Sequence, residues 1–213
     1  MCVNAETSIS AFVVGSFFNF LVAKSTSNVN FLMIAGVYEF ALIMQLFDFI
    51  AWKDPKCKSY NKIATKGAFV FNILQPIVFI IILLIFSQVE SKISKIIVGC
   101  LLLFYTAFII YRIYYSTETP IDCLKPSINC KNLYYKWWRN IGDYGIIAYT
   151  MPIIISILLL VRSFKFSMIH SIYFIITLLI SNKYYSCGTA SMWCLFATGG
   201  PILNYLLLKS NIV

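Results

Sequence analysis

A carboxyl group in the middle of a long apolar run is the first feature here that could do chemistry. Glu39 stands close to the centre of the run 31–52. A charged acid at mid-bilayer costs roughly 2.5 to 3.5 kcal/mol on insertion scales, so one kept there needs a partner or a use. Gln45, Asp48 and Trp52 follow at spacings of three and four and share one helical stripe. At about 100° and about 1.5 Å per residue, Glu39 is turned about 180° from Asp48 and lies about 13 Å from it along the axis. The two carboxylates therefore do not form one catalytic pair. Asp48 is the better candidate for a polar cavity, while Glu39 either pairs with another helix or stays protonated as a hydrogen-bond donor.

Other polar residues sit inside similar runs. Asn72 and Gln75 share a face, and Pro76 frees a carbonyl one turn back, a natural place for a kink. Pro152 does similar work further on. Gly199, Gly200 and Pro201 interrupt the last run near its middle. Broken helices at mid-membrane expose backbone groups to substrates or ions in transporters, although small residues also serve close packing. His170, the single histidine, lies one turn inside its run and either shuttles a proton or satisfies a polar contact.

Several chemistries are excluded by what is missing. One histidine cannot furnish an intramembrane zinc hydrolase, and the cysteines lack the close pairs of a four-thiolate site, so no metal is expected. The last run has no lysine before Lys209, which argues against a retinal Schiff base. Neither a phosphate-cradling glycine loop nor a nucleotide fingerprint occurs, so no cofactor is expected.

The elements that must position these residues are seven long apolar runs: 8–23, 31–52, 68–86, 93–111, 144–161, 166–181 and 190–208. A helix needs roughly 20 apolar residues to cross a hydrocarbon core about 30 Å thick. The first and sixth runs are the shortest, with a buried or re-entrant helix as the alternative. Of the 213 residues, 60% are hydrophobic and only 12% charged, against about 25% charged in ordinary soluble domains. Backbone groups in lipid find no water, and these runs are too long for barrel strands, so helices are required. The expectation is an all-α integral membrane bundle of seven transmembrane helices, with residues 1–213 as one polytopic domain. The leader before the first run lacks Lys and Arg and a cleavage motif, which reads as an uncleaved signal-anchor.

The net charge of +9 is scattered over nearly all the connections, so nucleic-acid binding is not expected and the lipid bilayer is the partner. With seven spans, one side carries Lys53, Lys56, Lys58, Lys62, Lys66, Arg112, Lys125, Lys131, Lys136, Arg139 and Lys183. The other carries only Lys24, Lys92, Lys95, Arg162, Lys165 and Lys209. The count makes the first side cytoplasmic. Density opposes the count, because the second set sits in very short turns while the fourth connection is long and diluted by Glu118, Asp122 and Asp143. Glu6 before the first run and Lys24 after it also favour an N-terminus left outside.

Cysteines decide between these. Cys2, Cys57, Cys123, Cys130 and Cys187 all fall on the N-terminal side, where an oxidising compartment would allow disulfides, Cys123 with Cys130 closing the shortest loop. The expected location is thus a host, organelle or viral membrane with the N-terminus outside or lumenal. No Asn-x-Ser/Thr sequon is present. Trp52, Trp137, Trp138 and Trp193 lie near the same side and look like an aromatic belt at the headgroup level.

Four segments together resemble a known pattern. The opening Met1-Cys2-Val3-Asn4-Ala5-Glu6, the segment Met44-Gln45-Leu46-Phe47-Asp48 through Trp52, Leu74-Gln75-Pro76, and Gly188-Thr189-Ala190-Ser191-Met192-Trp193-Cys194 resemble an uncharacterised multi-pass family. That family is associated with large DNA viruses of algae and protists and with some microbes. Its start often reads Met-Cys-Trp-Asn-Ala, and Val3 replaces the tryptophan here. The resemblance covers both ends and the second and third runs, and brings no established activity. It implies a set of candidates, Cys2, Asn4, Glu6, Ser8, Gln45, Asp48, Trp52, Gln75, Trp193 and Cys194, converging on one polar pocket toward the N-terminal side.

Three classes of function follow. The intramembrane acid, the amides and the interrupted last run point to passage of a small solute or ion. Cys2 and Cys194 beside Glu6 and Asp48 would serve a membrane enzyme acting on lipid or thiol. The third class is a non-catalytic structural or receptor-like component in which the polar groups only specify packing. Neither the solute nor the oligomeric state is named by the sequence.

Overall fold

Helix starts are set by short polar side chains. Asn4 accepts a hydrogen bond from the Thr7 amide at 2.7 Å and opens α1, Ala5–Ser25. Asn28 does the same for α2, Val29–Lys53, accepting from the Asn30 amide at 3.0 Å. The computed structural model describes residues 4–116, 123–126, 133–134, 142–184 and 189–210. Its further helices are α3, Ser59–Phe86, α4, Lys92–Ser116, α5, Gly142–Leu160, and α6, Phe164–Tyr184. Two shorter ones follow, α7, Thr189–Ala197, and α8, Gly199–Ser210. Strands are confined, among the described residues, to an antiparallel pairing of Lys125–Pro126 with Leu133–Tyr134.

Five helices meet the length and apolarity needed to cross a membrane: α1, α2, α3, α6 and the stretch Lys92–Tyr114 of α4. The two shortest runs, the first and sixth, thus become full 21-residue helices. Seven uniform spans are not what forms. The apolar part of α5, Gly145–Leu160, is shorter, and the seventh run is two helices meeting at Thr198. The break falls where Gly199 and Gly200 supply no side chains and Pro201 supplies no amide donor. By contrast α3 and α5 run through Pro76 and Pro152 without interruption, so the expected kinks do not break either helix.

Side chains are distributed inside out relative to a water-soluble protein. Phe17, Leu103, Phe104 and Leu179 are exposed, while Asn19, Gln45, Asp48, His170 and Asn204 are buried. Water would oppose that arrangement, and it is compatible with an integral membrane protein. α3 locates the boundary. Its 28 residues span about 42 Å, and Lys58, Lys62 and Lys66 are exposed at its start. Residues 67–86 then span about 30 Å, the thickness of a hydrocarbon core.

α2 is the centre of the packing, touching α1, α3, α7 and α8. It runs antiparallel to α3: Phe47 lies against Gly67 and Phe71, and Phe40 against Phe71 and Phe79. A Cβ at Gly67 would strike the Phe47 ring, and one at Gly15 would strike Leu42. α3 and α5 run parallel, with the Ser87 hydroxyl donating to the Leu160 carbonyl at 2.7 Å. α1 begins, α2 ends, α3 begins, α6 ends and α7 begins at one end of the bundle, the N-terminal face.

That face is closed by a small cap. Asp54 accepts from the Lys58 amide at 3.2 Å and the Asn61 amide at 3.0 Å, which orders the first turn of α3. The Asn61 side-chain amide donates to the carbonyls of Ala51, Asp54 and Leu124. Thr65 donates to Asn61 and accepts from the Leu124 amide at 2.9 Å. Cys57, in the left-handed region at φ 60°, is disulfide-bonded to Cys123. This corrects the expected pairing of Cys123 with Cys130. Asn61 and Thr65 bring the segment 123–126 back onto the start of α3, which places Cys123 beside Cys57; Cys130 lies outside the described residues.

Candidate functional site

Buried polar side chains from five helices gather at one depth below the N-terminal face. Counted at about 1.5 Å per residue from that end of each helix, Asp48 and Cys194 lie about 8 Å in, and Tyr149 and Thr177 about 10 Å. Gln75 lies about 12 Å below Gly67, where the apolar part of α3 begins. Asp48 is fully buried, and so is Gln45 one turn below it on the same face of α2. The buried Cys194 thiol lies within electrostatic reach of the Asp48 carboxylate and the Tyr149 hydroxyl. That hydroxyl donates to the Gln75 side-chain carbonyl. The Tyr149 ring packs edge-on against Trp193 at 5.7 Å between centroids. Trp193 also meets Phe174 at 4.7 Å, and its indole N–H donates to the Thr177 hydroxyl at 3.2 Å. Asn72 is buried on the same face of α3.

The expected pocket is therefore assembled in part. Gln45, Asp48, Gln75, Trp193 and Cys194 come together inside the bundle. Asn4 and Glu6 do not, for both are exposed and Asn4 is engaged as a helix cap. Ser8 is buried in the first turn of α1, its hydroxyl donating to the Asn4 carbonyl at 3.3 Å. Trp52 is half-buried at the end of α2. Trp193 is not part of a headgroup belt, since its ring is held within the bundle. Cys2, Trp137, Trp138 and Cys187 lie outside the described residues. The proposed meeting of Glu6 with Cys194 fails, because one faces outward and the other is buried.

Glu39 serves a different purpose. Its two oxygens accept from the Ser16 hydroxyl and the Asn19 amide of α1, each at 2.8 Å. Of the two alternatives for this acid, pairing with another helix is the one observed. Glu39 thus fastens α1 to α2, while Asp48 points toward α7.

A second polar layer lies toward the opposite face. The Tyr38 hydroxyl is 3.1 Å from His170 Nδ1, and the His170 ring also packs against Phe166 at 4.5 Å. Tyr38 fills the space left by Gly200, and the Tyr173 hydroxyl fills that left by Gly199. Tyr173 donates to the Phe196 carbonyl in the last turn of α7. One turn on, the Asn204 amide donates to the Phe31 carbonyl at 3.1 Å. Sequence reasoning missed Tyr38, Tyr149, Tyr173 and Thr177, whose types are common in membrane helices. Only the positions of the glycines hinted that something large must fit beside them.

Among the described residues no group of three or more His, Cys, Asp or Glu side chains is placed to hold a metal ion. No protein-family model, curated protein or solved structure matches this chain.

Proposed function

We propose that the chain is a seven-span integral membrane protein that passes a small polar solute or an ion through the layer around Asp48. The observation that carries this reading is an acid with no exposed surface, beside Gln45 on α2 and within electrostatic reach of Cys194 in an interrupted span. Intramembrane ionisable residues of this kind mark pathways and relays more often than they serve packing. α5 makes the fifth crossing, and α7 and α8 make the seventh as two half-helices. The N-terminal face lies outside or in a lumen, a placement supported by the Cys57–Cys123 disulfide, because such bonds persist in oxidising compartments. Host, organelle and viral membranes all meet that condition.

Purified protein in liposomes tests this. Efflux of protons, alkali cations and small neutral solutes such as glycerol is compared between the wild type and Asp48→Asn. Flux above that of empty liposomes, lost in the variant, is expected; flux that survives the substitution overturns the role of Asp48.

A second reading has its own observation. Glu39, bonded to Ser16 and Asn19, shows that this bundle does use an acid as a fastener. A structural or receptor-like component would use Asp48 in the same way, and would show no flux for any solute.

A further inference from the structure

His170 and the break between α7 and α8 are mechanically joined. Tyr38 of α2 touches both, with its hydroxyl on His170 Nδ1 and its ring in the space that Gly200 leaves empty. Tyr173, three residues after His170 on the same face of α6, holds the Phe196 carbonyl at the break and occupies the space beside Gly199. α6 therefore reads the break twice, once directly and once through Tyr38. Trp193 and Cys194, on the other side of the break, belong to the upper layer.

His170 also has a valence left over. It is only 1% exposed, and its Nε2 has no hydrogen-bond partner among the described residues. The adjacent Ser171 hydroxyl and the Thr198 hydroxyl at the break are buried in the same condition. Buried polar atoms without partners are uncommon in finished cores and mark places where water or a proton belongs.

We propose that His170 is a proton-binding site that works the hinge of the seventh span, so that the upper layer opens when the imidazole is protonated. This rests on the reading of the upper layer as a solute site and adds its coupling ion. The chemistry is one proton taken from water onto a ring nitrogen and later returned to water; no other bond forms or breaks. Neutral imidazole has one donor and one acceptor nitrogen, whereas imidazolium has two donors. With Nδ1 as acceptor, Tyr38 donates to it; once both nitrogens carry protons, Tyr38 must give up that bond. A cation in a dry apolar site is costly, so protonation also draws water to Nε2. Both effects loosen the Tyr38 wedge against Gly200.

The groups around His170 leave it free to act this way. Tyr38 faces it from α2, and Tyr173 shares its helix. Tyr149 of α5 and Cys194 of α7 belong to the Thr177 level, about 10 Å further along α6. Arg162 and Lys165 are exposed before the start of the helix and in its first turn.

The single histidine makes the test clean. Protein labelled with nitrogen-15 histidine in nanodiscs gives one imidazole to follow by NMR. In parallel, the rate at which a small methanethiosulfonate modifies Cys194 is read on the Cys194 peptide, for the wild type and for His170→Gln. On acidification from about pH 8 to about pH 3 the imidazole becomes cationic, and the ratio of wild-type to variant rates rises about tenfold. Tyr38→Phe, which keeps the ring but not the hydroxyl, holds its ratio to His170→Gln constant. An imidazole that stays neutral overturns the proposal. So does one that titrates while the wild-type ratio stays flat and Cys194 is modified throughout; the solute layer then stands without its coupling. Cys194 unmodified at every pH sinks the solute layer itself, and the coupling with it.

Discussion

The Tyr149 hydroxyl donates to the side-chain carbonyl of Gln75, and this one bond joins α5 to α3 in the interior of the bundle. Around it the Tyr149 ring also meets Tyr105 and Trp193. Its substitution is therefore read most simply by removing only the hydroxyl. Tyr149→Phe leaves the Gln75 carbonyl buried without that donor, which costs about 1 to 3 kcal/mol. Thermal unfolding in detergent reports the loss. Adding Gln75→Leu to the Phe variant removes the stranded carbonyl and recovers part of the stability.

Glu39 gives the opposite test. A glutamine there still accepts from Ser16, and Asn19, whose side-chain carbonyl is otherwise without a partner among the described residues, can turn to accept from the new amide. Glu39→Gln is thus expected to unfold within about 0.6 kcal/mol of the wild type, the average of a hydrogen bond between membrane helices. Glu39→Leu strands two donors of α1 and unfolds earlier. In the liposome assay, Glu39→Gln keeps the flux that Asp48→Asn loses.

The glycines separate tight packing from open space. Gly200→Ala places a methyl group in the Tyr38 ring and Gly67→Ala places one in the Phe47 ring, each costing about 1 to 3 kcal/mol by overpacking. Gly99→Ala meets nothing within 4 Å, and stabilises α4 by up to about 1 kcal/mol through helix propensity. Midpoints of thermal unfolding for the three variants should fall on both sides of the wild type.

Cys57 and Cys123 are separated by 66 residues in sequence. Closing a loop of that size stabilises by roughly 4 kcal/mol in the chain-entropy account. Mass spectrometry of alkylated protein, with and without reductant, should find the Cys57 and Cys123 peptides linked. Cys57→Ser and Cys123→Ser should lower the unfolding midpoint equally.

The helices were legible because lipid allows few choices. Long apolar runs, a composition poor in charge and the need to satisfy backbone groups lead to helices at the expected places. The break at Gly199-Gly200-Pro201 was visible for the same reason, two residues without side chains and one without a donor. α3 and α5 continue through Pro76 and Pro152, because a proline removes one backbone bond and the rest of the helix persists around it. Glu39 and Asp48 were correctly separated by helical geometry alone. What that geometry does not contain is the neighbour across the interface. Tyr149 on Gln75, Thr177 on Trp193 and Tyr38 on His170 are contacts between residues far apart in the chain, and no spacing rule connects them. The N-terminal candidates failed for a local reason, since Asn4 is needed where the helix begins and Glu6 faces outward.

The sulfur bridge of the cap also has a temporal meaning. Its two halves flank the third and fourth spans, so in the proposed orientation the second cysteine reaches the oxidising side only after both hydrophobic segments have been threaded. A linked Cys57 and Cys123 would therefore act as a receipt for completed insertion, and a nascent chain with either span misplaced would carry two reduced thiols that quality-control enzymes could detect.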